Sequence, residues 1–449
     1  MAEPLVILGD QGSIRDDDAE TAGGQDMASA MMAAIAEQRR FAEALFGRLR
    51  ADSLDAPGVT RDPYGPGEQQ AHATIAEAGA AMGLEIARDA AANLYLTAPG
   101  QDRTLPAIVL GSHLDSVPHG GNFDGAAGVI AGLVAIRALQ ARGIAPRRDI
   151  VVMAIRAEES VWFQVSYIGS RGALGSLPDG ALQARRIDTG RTLAEHMAEI
   201  GGDPKALAAG VRHLDPERVA AYLELHIEQA PSLIEAGCPV GICTGIPGNV
   251  RLPHARILGQ HDHVGLPRRF RHDAAMAGAD VAMEIDRLWQ EHEAAGIPMA
   301  ATIGRFHTDA AAHGLTIVPG LFHFSLDLRA YDPMVLAGLE KSLDAILARV
   351  AARRRVTIEA GPRARAGVGM VDPAIRAGLA EAAAVLGIAA RPLGSPASHD
   401  AAAFAEAGVK MGMIFVRNAN GSHNPDEAME IDDFLAGAAV MAEWIRTQV

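Results

Sequence analysis

Five short segments of this sequence carry side chains that could act together on a cation. They are His113 and Asp115 in Gly-Ser-His-Leu-Asp, Asp124 in Gly-Gly-Asn-Phe-Asp-Gly, the adjacent Glu158 and Glu159, His226, and His423 in Gly-Ser-His-Asn-Pro. Imidazole and carboxylate donors without thiolates suit Zn²⁺, Mn²⁺, Co²⁺ or Ni²⁺. Two ions held close together need a bridging carboxylate, and one Asp on a Gly-flanked loop can supply it. Neighbouring glutamates at a strand end point in different directions. One can therefore bind metal while the other faces a water as general base. Singly these signals are weak: a Glu-Glu pair is ordinarily solvated surface, and His226 could be a satisfied core histidine. Jointly they favour a metal centre, because each falls at a strand end or on a Gly-rich loop.

The elements that must position them read as follows. Residues 1–26 are polar, acidic and Gly-containing, and are expected to form a mobile tail. A helical pattern covers Met27 to Leu49, a loop Gly58 to Gly67, and a helix Glu68 to Met82. Apolar strands are expected at Asn93–Thr97, Ala107–Gly111, Ile150–Ile155 and Ala220–Leu225, with a buried helix over Gly125–Leu139. Strands alternating with helices imply an α/β sheet, whose functional groups gather beyond the carboxyl ends of its strands. Three of these strands end at His, Asp or Glu. From 244 to 361 the order becomes strand, helix, strand, strand, helix, strand, the ferredoxin-like unit. The last expected elements are a helix at Ala374–Leu386, a strand at Lys410–Val416 and a final helix. The expected fold is thus α/β: a discontinuous domain of residues 27–243 and 362–449, with a central mixed sheet flanked by helices, plus an inserted α+β domain at 244–361.

Composition narrows the function classes. The 449 residues carry 40 Lys and Arg against 55 Asp and Glu, a net charge of −15, which argues against a nucleic-acid partner. Arg268, Arg269 and Arg271 form a small local exception. The longest nearly apolar run, Ala126 to Ile136, falls well short of the roughly 20 residues a membrane span needs. The apolar piece Leu5–Leu8 is followed by Asp16, Asp17, Asp18 and Glu20, the wrong charge for an export signal. Two cysteines, Cys238 and Cys243, cannot build a disulfide framework. A cytoplasmic location is expected.

Several of these segments together resemble the hydantoinase/carbamoylase amidases, within the wider group of dinuclear aminoacylases and carboxypeptidases. The resemblance is carried by Gly111-Ser-His-Leu-Asp-Ser-Val-Pro118, Gly120-Gly-Asn-Phe-Asp-Gly125, Glu158-Glu159, Ile168-Gly-Ser-Arg171, Glu224-Leu-His-Ile-Glu-Gln229, Leu326-Asp-Leu-Arg329, His399-Asp400 and Ser422-His-Asn-Pro425. It implies two divalent ions per subunit: His113 and His226 on one, Glu159 and His423 on the other, and Asp124 bridging. It further implies that Asp115 orients His113, that Glu158 is the general base, and that His263 stabilises the developing oxyanion, often across a dimer. Gln229, Arg329 and His399 match substrate-binding positions. The inserted domain would be a lid and dimerisation domain. The implied reaction is attack of a metal-activated water on a linear amide, most simply an N-carbamoyl amino acid or related ureido acid bearing a carboxylate.

The sequence departs from that family on the substrate side. Val264-Gly-Leu-Pro267 is one residue shorter than the usual segment, Gly245-Ile-Pro-Gly248 replaces Gly-Ile-Gln-Gly, and Thr316 stands where the family has Asn. After Glu158-Glu159 the family's Arg is replaced by Trp162, either a pocket wall or a packed core residue. Arg329 has a structural ion pair as its rival reading. An aminoacylase- or deaminase-like hydrolase on the same scaffold is therefore the second reading. A non-catalytic binding homologue is the third, disfavoured because no ligand position is lost.

Overall fold

In the computed structural model the described residues run from 15 to 448, with side chains described from 26 to 448. The chain divides into two units: residues 1–242, 373–391 and 413–449 in the first, 243–372 and 392–412 in the second. None of the helices among the described residues is long and apolar enough to cross a membrane.

The first unit is built on a mixed eight-stranded sheet. Its strands follow the spatial order Ala390–Leu393, Val240–Cys243, Met411–Val416, Val219–Ile227, Ala107–His113, Ile150–Ile155, Leu94–Ala98 and Glu85–Arg88. The Ala107 strand lies parallel to both neighbours, while the outer Leu94 and Glu85 strands run antiparallel. The central strands are buried along almost their whole length. Burial on both faces is why they read as largely apolar runs rather than alternating ones. Helix Ala126–Ala141, itself almost wholly buried, packs on the sheet and on helix Ile431–Gln448. Gly128 allows that approach, because a Cβ there would lie 2.3 Å from the carbonyl oxygen of Leu225.

The mixed α/β architecture is the expected one; some boundaries differ. The pattern read as one helix from Met27 is two, Arg15–Ala36 and Arg39–Asp52. No Gly or Pro marks the break. The Gln38 side chain makes it, donating to the Ala34 carbonyl at 3.0 Å and accepting from Arg137 at 2.7 Å. The chain is helical from Arg15, so the expected tail ends earlier than residue 26, and its residues 1–14 lie outside the described residues.

The second unit holds an antiparallel sheet in the order Met299–Thr302, Leu321–Ala330, Gly248–Leu258, Thr357–Glu359. Two short strands extend it, Phe306–Thr308 on the Leu321 strand and Ala364–Ala366 on the Gly248 strand. Phe322, Phe324, Leu326, Leu328 and Ala330 face the core with helices Ala274–Ala294 and Pro333–Arg354, and the residues between them are half-buried. That alternation marks a sheet covered on one face. The single strand expected at Met299–Phe306 is broken near Gly304. There the Arg305 N–H donates to Ser325 Oγ at 2.9 Å, beside a register shift between Phe324 and Leu326. Helix Asp400–Glu406, too short to show a period, completes this unit.

Candidate metal centre

Parallel register brings the candidate ligands to one end of the first unit's sheet. His113 pairs with Ile155, so the chain leaves the Ile150 strand into Arg156-Ala-Glu-Glu at the level of His113. Leu110 pairs with Leu223 on the other side, and three more residues along each strand lead to His113 and His226. Their buried rings lie 5.7 Å apart. Asp124 arrives on the turn before helix Ala126–Ala141. That turn closes on Gly125 at φ 65, where a Cβ would lie 2.5 Å from the His113 ring, so only glycine fits. His423 and Ala157 also adopt left-handed backbone, at φ 60 and 54, strain of the kind that clusters at functional sites.

The two oxygens of Asp124 face different ways. Its Oδ1 lies 3.3 Å from His113 Nε2 and 3.2 Å from His226 Nε2. Its Oδ2 lies 3.4 Å from His423 Nε2, which is itself 3.1 Å from Glu159 Oε1. Two ligand groups result, His113–Asp124–His226 and Asp124–Glu159–His423, each with donor atoms within 4.8 Å of one another. Imidazole and carboxylate donors around a shared carboxylate fit divalent first-row ions.

Electrostatics point the same way. Burial opposes charge on His113, yet Asp115 and Asp124 hold its pKa well above the usual imidazole value. Burial likewise works against His226, and Asp124 raises it. Burial would raise Asp124, but hydrogen bonds from the three imidazoles outweigh it and hold the carboxyl well below its usual range. His423 is pushed up to about 11 by Asp124 and Glu159. Carboxylates that attract protons this strongly also attract cations, so the two compete for the same imidazoles. Metal affinity is therefore expected to fall as pH is lowered, with net proton release on metal uptake. Calorimetric titration in buffers of different ionisation enthalpy would show this as a buffer-dependent heat; a buffer-independent heat would contradict it.

A family model described as peptidase family M20/M25/M40 matches residues 109–447. The chain belongs to peptidase family M20/M25/M40. Within it, the chain is 34% identical over 386 residues to an N-carbamoyl-L-amino acid amidohydrolase of Geobacillus stearothermophilus, covering 86% of this chain and 92% of that protein. It is 28% identical to a ureidoglycolate hydrolase of Arabidopsis thaliana, over 86% of this chain and 81% of the relative. Among solved structures, a hydantoinase/carbamoylase family amidase from Burkholderia ambifaria superposes with a TM-score of 0.76 at 29% identity, covering 91% of this chain and 96% of the other. The M20 chain is thus a metal-dependent hydrolase related to amidases of that group.

Around the ligands of this M20 site lies a supporting layer, part of it unforeseen from sequence. Asp115 was expected to orient His113, and its Oδ1 lies 3.3 Å from His113 Nδ1. It also accepts the backbone N–H groups of Glu158 and Glu159, each at 3.0 Å, so one carboxylate sets both the imidazole and the glutamate pair. Arg61, fully buried, donates to the carbonyls of Leu114 at 2.7 Å and Asp124 at 3.4 Å. Glu427 accepts the N–H groups of Phe123 and Asp124 at 2.8 and 3.2 Å, and Ser422 Oγ donates to it at 2.7 Å. Burial and the nearby Asp124 charge push the Glu427 carboxyl up to about 7. Its place four residues after His423 was the available signal. Arg61 offered none.

A buried ion pair holds the loop that carries the glutamates. Glu68 accepts from Arg156 at 2.7 Å and from the Ala157 N–H at 2.9 Å, and both side chains are fully buried. Removing one partner of such a pair strands the other charge. Glu68→Ala is therefore expected to destabilise the fold by about 3–5 kcal/mol, read as a lower urea midpoint. An unchanged midpoint would show that the pair contributes nothing.

The remaining expected residues fall in different places. Gln229, at φ 63, donates to Asp124 Oδ2 at 2.8 Å, while its own Oε1 is buried without a partner among the described residues. Trp162 is 5% exposed, its indole N–H donates to the Ser116 carbonyl at 2.9 Å, and the Arg186 guanidinium lies over its ring. These surroundings are those of a packed residue. The others belong to the second unit. His263 is exposed, its Nδ1 accepting from the Gly265 N–H at 3.1 Å, and Thr316 accepts the Val264 N–H through its carbonyl. Arg329 is ion-paired with Asp327 at 3.1 Å, an ion pair of the kind its rival reading expects, with a partner the sequence reading does not name. His399 is buried, with its ring bonded to Ser395 Oγ at 2.9 Å.

Proposed function

We propose that this chain is a dinuclear amidohydrolase that cleaves an N-carbamoyl amino acid or a related ureido acid. The observation that carries this reading is Asp124, whose two oxygens address separate ligand groups. The named activities of the relatives support the substrate class. His113, His226 and Asp124 would hold one ion, and Glu159, His423 and Asp124 the other, with Zn²⁺, Mn²⁺, Co²⁺ or Ni²⁺ suited to the donors. When bound, such ions supply Lewis acidity and make water a better nucleophile near neutral pH.

The chain's own groups do the rest. Asp115 fixes the backbone of Glu158, whose carboxylate takes a proton from the attacking water. Oxygen adds to the carbonyl carbon, and His263 stabilises the charge on the carbonyl oxygen. Gln229 and Arg329 orient the substrate amide and carboxylate. Glu158 then gives its proton to the leaving nitrogen as the C–N bond breaks. A carbamate product decomposes to ammonia and carbon dioxide. Thr316 and Pro247, replacing an Asn and a Gln of the resembled family, favour a shifted substrate as the second reading.

Reconstitution with Mn²⁺, Zn²⁺ or Co²⁺ and a screen of N-carbamoyl amino acids, allantoate and N-acyl amino acids tests both. Turnover of carbamoyl or ureido substrates is expected. Turnover of N-acyl amino acids alone would favour the second reading, and none on any substrate would overturn both.

We further propose that residues 244–361 act as a lid and dimerisation domain, and that the protein is a cytoplasmic homodimer. The family resemblance supports the first statement, and the two free thiols, Cys238 and Cys243, support the location. Mixing inactive E158Q and H263A chains tests the dimer. If His263 serves the partner's site, mixing restores part of the activity; no recovery would place each site within one chain.

A further inference from the structure

A cavity of about 770 Å³ on the second unit is lined by six arginines, 268, 269, 271, 353, 354 and 355. The only acidic residue in that lining is Asp273. Such a concentration of positive charge is notable in a chain whose net charge is −15. The volume lies within the range of small-molecule sites.

The arginines arrive from two segments. Helix Pro333–Arg354 ends in Arg353 and Arg354, and Arg355 follows in left-handed backbone at φ 55. The Arg355 guanidinium donates to the carbonyls of Arg269 and Arg271, fastening the turn at 268–271 over the helix end. Arg271 in turn donates to the carbonyls of Leu266 and Val264.

Structural pairing accounts for some of these cations but not all. Arg353 and Arg354 bond Asp280, and Arg353 also reaches Glu284 at 3.2 Å. Arg268 and Arg269 donate no hydrogen bond to any described residue; Arg269 only lies over the Phe270 ring at 4.5 Å. Like charges gathered without internal partners repel, and an anion brought among them relieves that repulsion. Guanidinium forks match phosphate oxygens in bidentate geometry. An isolated carboxylate would answer only one of the six cations. Two adjoining phosphoryl groups concentrate several negative charges in a space of this size.

We propose that this pocket binds a pyrophosphoryl group, either free pyrophosphate or that part of a nucleoside di- or triphosphate. Arg268 and Arg269 supply the unengaged forks. Met276, which also lines the cavity, offers the apolar contact that an attached nucleoside would use.

Calorimetric titration of the full-length, metal-loaded protein with inorganic pyrophosphate, ADP and citrate at fixed ionic strength tests this. Saturable binding of pyrophosphate at one site per chain is expected, weakening as salt is raised. Since the Arg268 and Arg269 side chains donate to no described residue, and the carbonyls that hold the turn are kept in the variant, R268E/R269E should fold normally, as checked by circular dichroism. It should raise the pyrophosphate Kd at least about tenfold, a loss in line with removing charge-assisted hydrogen bonds. ADP binding tighter than pyrophosphate would identify a nucleotide as the source, and equal affinity the phosphate moiety alone. Citrate should bind about tenfold more weakly or worse; equal binding would overturn the phosphate assignment. An unchanged Kd in R268E/R269E would place the anion elsewhere, the metal centre included, and overturn the pocket.

Discussion

Glu158→Gln is expected to lower kcat by about 10²–10⁴-fold or more, the contribution of a positioned general base, while bound metal stays at its wild-type level. Glutamine occupies the same volume and keeps an oxygen acceptor, but it cannot take a proton from water. The Glu158 N–H bond to Asp115, at 3.0 Å, involves only backbone on the Glu158 side and survives the change. Metal content by plasma mass spectrometry, measured beside turnover, separates this from a general collapse of the site. A variant with wild-type turnover would remove Glu158 from the role of base. Lost turnover together with lost metal would make it a ligand instead.

Asp124→Ala is expected to deplete both ions, because one side chain serves both groups. Its Oδ1 addresses His113 and His226 and its Oδ2 addresses His423. Losing an outer-layer partner of a metal ligand typically weakens binding by about 10–100-fold; a shared ligand should cost more than that at each position. Glu159→Ala is the contrast, since it touches only the group containing His423. Equilibrium dialysis should return less than one ion per chain for Asp124→Ala and an intermediate content for Glu159→Ala. Equal depletion in the two variants would contradict a bridging Asp124.

Much of this site could be read in advance because of how a buried sheet is written. The Ala107, Ile150 and Val219 strands are covered on both faces, so their sequences are apolar until near their carboxyl ends. A His or Glu at such a boundary stands out against that background, as His113, Glu158 and His226 do. Arg61 and Glu68 did not stand out, and Glu427 did so only by its nearness to His423. Each is polar in an ordinary-looking stretch, and its partner lies far away in sequence: Leu114 and Asp124 for Arg61, Arg156 for Glu68, Phe123 for Glu427. Burial of a charge is a property of the packed chain, and local composition carries no mark of it.

Trp162 and Arg329 illustrate the same limit from the other side. Both could be read equally well as ligand contacts or as structural residues. The indole of Trp162 lies between the Ser116 carbonyl and Arg186, and Arg329 pairs with Asp327 on its own strand. Those partners become visible only in the packed chain.

The sequence by itself determined the donor types, their order along the chain and the alternation of strand and helix, because side-chain chemistry and hydrophobic period are local properties. Tertiary structure decided which oxygen of Asp124 faces which imidazole, which carboxylates are buried with partners, and that arginines from 268–271 and 353–355 meet around one cavity. These are distances between residues remote in the chain. They follow from how the sheets and helices pack, which no single segment specifies.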